Sequence, residues 1–96
     1  MVADERSLCK SVAGLRPPLA IVDLSLAQGD VSGLLHRLRE CLPGLKVILL
    51  SAYEEPIVAR AAKEAGAEGI VSKRKIANDL LVAVDDVLQG KRHFPA

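Results

Sequence analysis

Ninety-six residues, half of them apolar and 26% charged, can build one modest hydrophobic core, and a second domain does not fit within them. A net charge of +1 supplies no broad basic field, and one Tyr with one Phe supplies no stacking platform, so neither direct nucleic acid binding nor an anionic membrane is expected. Residues 1–6 are too polar for a signal peptide and no run approaches the ~18 apolar residues of a membrane span, which makes the cytoplasm the expected location.

Leu8, Cys9, Val12, Ala13 and Leu15 recur at helical spacing and predict a helix over residues 6–15, with only Met1 to Ala3 left for a strand ahead of it. Cys9 and a second cysteine, Cys41, both fall in apolar helical stripes. They read as small buried hydrophobes in a reducing compartment rather than as a disulfide or a metal pair. Leu19 to Val22, after the Pro17-Pro18 turn signal, is a short branched run suited to a strand buried on both faces and ending at Asp23. Residues 31, 34, 35, 38 and 42 then stripe a helix, with Asp30 placed to cap its start and Pro43-Gly44 to stop it.

Leu45 to Leu50 predicts the next strand, closed by Ser51, and Pro56 suits the first turn of a helix that runs to Ala65 and stops at Gly66. Glu68 to Ser72 gives a third strand. Ile76, Leu80, Leu81, Val84, Val87 and Leu88 stripe a last helix closed by Gly90, and the Lys91-Arg92-His93 tail reads as a frayed end. Strands alternating with helices on short loops require right-handed crossovers, so the class is α/β with a parallel sheet and residues 1–96 form a single unit.

In such a sheet, reactive groups collect at the carboxyl ends of the strands. Asp23 ends the first strand, Ser51 ends the second and Lys73 follows the third. A carboxylate nucleophile, a hydroxyl donor and a point cation together suit phosphoryl transfer onto the carboxylate. Each also has a plainer reading: Asp23 as a loop cap, Ser51 as a turn cap and Lys73 as a solvated lysine. Neither His36, on a helix, nor His93, in the tail, falls at a strand end, and no glycine-rich phosphate loop occurs, so an enzyme acting on an external substrate is not expected.

Ile-Val-Asp-Leu-Ser-Leu, Val-Ile-Leu-Leu-Ser-Ala and Gly-Ile-Val-Ser-Lys resemble the three signature strands of bacterial response-regulator receiver domains, and the separations of 28 and 22 positions (51 − 23 and 73 − 51) suit them. From Arg16 to Ala96 the chain is similar to receivers of the subfamily usually fused to a LuxR-type helix-turn-helix, with Leu-Ser-Ala-Tyr and Glu-Ala-Gly-Ala-Glu-Gly adding to the match. The resemblance implies a flavodoxin-like three-layer receiver fold. It makes Asp23 the phosphoacceptor, Ser51 the switch hydroxyl, Lys73 the phosphoryl contact and a histidine kinase the phosphodonor.

Against that pattern the chain reads as a partial receiver, truncated at the N-terminus by one β-α unit and without an output domain. The family's Mg2+ would be held by Asp23 and an acidic pair at the end of the first strand. Asp4 and Glu5 provide that pair only if Val2-Ala3-Asp4-Glu5 is the tip of that strand; otherwise they are the acids of a helix N-terminus. Ile70 stands where the family usually places an aromatic switch residue, and Arg74 replaces the proline common after the lysine. Without its neighbour the strand holding Asp23 would have an open edge, from which a homo-oligomer is expected. The alternative function is a degenerate receiver serving as a phosphorylation-independent dimerisation or interaction module.

Overall fold

The computed structural model describes residues 5–52 and 56–94. The chain runs α1 (Glu5–Leu15), β1 (Leu19–Asp23), a 3-10 turn at Leu24–Ala27, α2 (Val31–Cys41) and β2 (Lys46–Ser51). It continues through α3 (Pro56–Glu64), β3 (Gly69–Ser72), a second 3-10 turn at Lys73–Lys75 and α4 (Ile76–Leu88). The three strands form a parallel sheet in the order β1-β2-β3. Asp23 is in register with Leu50, and Ser51 with Ser72.

The side-chain period of two sorts the strands into two faces. Val22, Val47, Leu49 and Ile70 point to the larger core, which they share with Val12 of α1, Leu34, Leu35 and Leu38 of α2 and Ala62 of α3. Ile48 and Val71 point the other way, where α4 covers them with Ala83 and Val87. The smaller core therefore rests on one helix. β2 is the central strand and its Val47, Ile48 and Leu49 are completely buried.

Three expectations need correction. β1 is not covered on both faces: only Val22 of its residues is buried, and Ile21 is 43% exposed. The open edge expected of it is present, since β1 pairs with β2 alone among the described residues. The tail is not frayed, because His93 donates its N–H to Glu68 O and accepts from Ile70 N, each at 3.0 Å, laying residue 93 beside Gly69 in a parallel bridge. Cys9 and Cys41 are not separate buried thiols. The α1–α2 packing brings their Cα atoms to 6.1 Å and joins them in a disulfide.

Candidate functional site

Asp23, Ser51 and Lys73 lie at one end of the sheet because three parallel strands finish side by side. Asp23 closes β1 with extended backbone (φ −69°, ψ 127°), then caps the 3-10 turn that follows: its Oδ1 accepts from the Ser25 N–H at 2.9 Å. A turn so close to the carboxylate fixes its direction. Its other oxygen, Oδ2, is engaged by the Lys73 ammonium in a direct ion pair.

Lys73 begins the 3-10 turn after β3, and Ser72 caps that turn by accepting from the Arg74 N–H at 3.2 Å. β2 lies between β1 and β3, so the lysine reaches across the width of the central strand to meet Asp23. Ser51, the last residue of that strand, is 1% exposed. The hydroxyl-bearing residue is thus walled in at the end of the central strand, while Asp23 and Lys73 remain open to solvent, with side chains 36% and 41% exposed.

The Lys73 hydrogen bond, followed by that from the Ser25 N–H, holds the Asp23 carboxyl below its ordinary pKa against a smaller opposing effect of burial. Asp23 is ionised across the neutral range, as a nucleophile must be. The pair brings opposite charges together at an accessible point, where an incoming phosphoryl group would meet a carboxylate oxygen and a cation at once.

Other placements bear on metal binding. Glu5 opens α1, and Asp4 lies outside the described residues. Among the described residues no group of three or more His, Cys, Asp or Glu is placed to hold a metal ion. One Asp23 oxygen meets Lys73 and the other a backbone N–H, and each keeps a lone pair for a further partner.

The sequence reading missed the groups that hold the opposite end of the strands. Arg39 of α2 donates to Gly66 O and to Glu68 Oε1, each at 2.7 Å, and Glu68 Oε2 accepts from the Val47 N–H at 2.7 Å. This clip sets where β2 and β3 begin, and hence where Ser51 and Lys73 end up. Arg39 and Glu68 stand 29 positions apart with no local pattern to link them.

The model of the family described as "Response regulator receiver domain" matches residues 1–85. The Fimbriae Z protein of Salmonella typhimurium is 34% identical over 93 residues, which cover 97% of this chain and 44% of that protein. The isolated receiver domain of RcsB from Salmonella enterica serovar Typhimurium superposes with a TM-score of 0.82 at 29% identity, covering 96% of this chain and 68% of the other. RcsB in an RcsB-DNA complex matches with a TM-score of 0.79 at 28% identity, covering 96% of this chain and 47% of that one. The chain spans less than half the length of the relatives it matches by sequence.

The RcsB-DNA complex overturns the expectation of no direct nucleic acid binding. That expectation came from the charge and aromatic content of 96 residues, and such a balance carries no information about the remainder of proteins more than twice as long.

Proposed function

The chain belongs to the response regulator receiver domain family, and on that premise we propose that it accepts a phosphoryl group on Asp23 within a two-component system. The observation that carries the reading is the ion pair between Asp23, at the end of β1, and Lys73, brought from the far side of β2. A histidine kinase is the donor. An Asp23 carboxylate oxygen attacks phosphorus, the new O–P bond forms as the P–N bond to the donor imidazole breaks, and the departing nitrogen takes a proton. Lys73 then transfers its hydrogen bond from the carboxylate to a phosphoryl oxygen, offsetting the charge that accumulates there.

Ser51 is proposed as the switch hydroxyl, donating to the phosphoryl group once the pocket carries it. Receiver domains generally bind Mg2+, which would take Asp23 as a ligand and offset phosphoryl charge, and no step here is assigned to it. By likeness to the DNA-bound relative, the phosphorylated state would act on transcription.

Ile70 and Arg74, which depart from the family's switch pattern, favour a second reading, a degenerate receiver that works as an interaction module without phosphorylation. Incubation with acetyl phosphate, with and without Mg2+, followed by intact mass, separates the two. A phosphate adduct that disappears in Asp23→Asn supports the phosphoacceptor; no adduct under either condition supports the interaction module.

A further inference from the structure

α1 has little of its own to hold it in place. Of its described side chains only Val12 is fully buried, while Leu15 is 81% exposed. Gly14 interrupts its last turn, and the chain leaves it through Arg16 at φ 51°, a left-handed conformation that a residue with a Cβ resists. It packs against α2, and there Cys9 is joined to Cys41, the final residue of that helix.

Both cysteines are half-buried rather than sealed in the core. The Cys9 sulfur also stands 3.8 Å from the carbonyl of Arg37, one helical turn before Cys41, which gives a reduced S–H an acceptor in the same place. The site therefore has partners for both redox states. The bond closes a loop of chain that includes β1, Asp23 and all of α2.

We propose that Cys9 and Cys41 form a reversible thiol–disulfide site whose oxidised state docks α1 on α2 and whose reduced state releases it. Reduction by glutathione proceeds through attack of its thiolate on one sulfur, breaking the S–S bond and forming a mixed disulfide. A second glutathione resolves it, so that Cys9 and Cys41 gain two electrons and two protons while two glutathiones become one disulfide. Oxidised glutathione runs the exchange backwards.

The test equilibrates the full chain in glutathione mixtures from wholly reduced to wholly oxidised, traps free thiols with iodoacetamide and reads intact mass. Hydrogen exchange is followed on the two end states. The expected result is a reversible passage between a doubly alkylated and an unalkylated protein. Amides of residues 10–15 should exchange about tenfold faster or more after reduction, while those of residues 47–50 stay protected. Cys41→Ser in oxidising buffer should match the reduced protein in residues 10–15 and keep the same protection in β2, which shows that the fold survives. Glutathione adducts on both cysteines in place of the internal bond, or equal protection of α1 in both states, would overturn the proposal.

Discussion

The Asp23 carboxylate and the Lys73 ammonium lie 50 positions apart in the chain and meet only because two strands finish level on either side of a third. Since the lysine is the largest cause of the lowered Asp23 pKa, Lys73→Met should move that pKa up toward the ordinary carboxylate range, measurable by titrating the Asp23 carboxyl carbon in NMR. A depressed carboxyl pKa stabilises the fold above the unfolded-state value, and the contribution disappears as pH falls through the folded value. The wild-type protein should therefore lose stability relative to Asp23→Asn on acidification below about pH 4. The difference will be small, because both side chains are more than a third exposed. The positions of these residues were legible because strand ends can be found from apolar runs, and the reading of Asp23 as a loop cap is met by the Ser25 N–H on its Oδ1, while the 3-10 turn that it caps, only four residues long, left no pattern to read.

Helices and strands follow the sequence pattern to within a residue or two at their ends, and the clearest case is α2. Its Asp30 cap, inferred from position, accepts from the Gly33 N–H at 3.0 Å, so Asp30→Ala should cost about 1 kcal/mol in urea denaturation. The clip at the start of the strands has no such local signature. Glu68 serves the Val47 N–H and Arg39 together, and removing it leaves the backbone donor of a buried residue without its acceptor and takes the carboxylate from a partly buried guanidinium that keeps Gly66 O. Glu68→Ala should cost about 1–3 kcal/mol by the same measurement. The disulfide was hidden for a related reason: a helical stripe shows that Cys9 and Cys41 face inward, while only the crossing of α1 over α2 decides that they face each other.

Across the whole molecule the sheet divides the apolar interior unevenly, with three helices over one face and α4 alone over the other. Ile48 is completely buried on the thinner side, so Ile48→Ala should destabilise by roughly 2–5 kcal/mol, again read from denaturation midpoints. Parallel order was legible from the alternation of strand and helix. The apolar run alone reads as a strand covered on both faces, since it cannot tell an edge strand from an interior one, and it was the family resemblance that made the open edge of β1 legible. This arrangement matters for function because it is what carries a carboxylate and an ammonium from opposite strands to one accessible point. The most direct measurement of that claim is to reduce the acetyl phosphate-treated protein with borohydride, which converts an aspartyl phosphate to homoserine, and to sequence its peptides by mass spectrometry. Homoserine at position 23 is the predicted result; a reduced carboxyl at any other position, or at none, would contradict it.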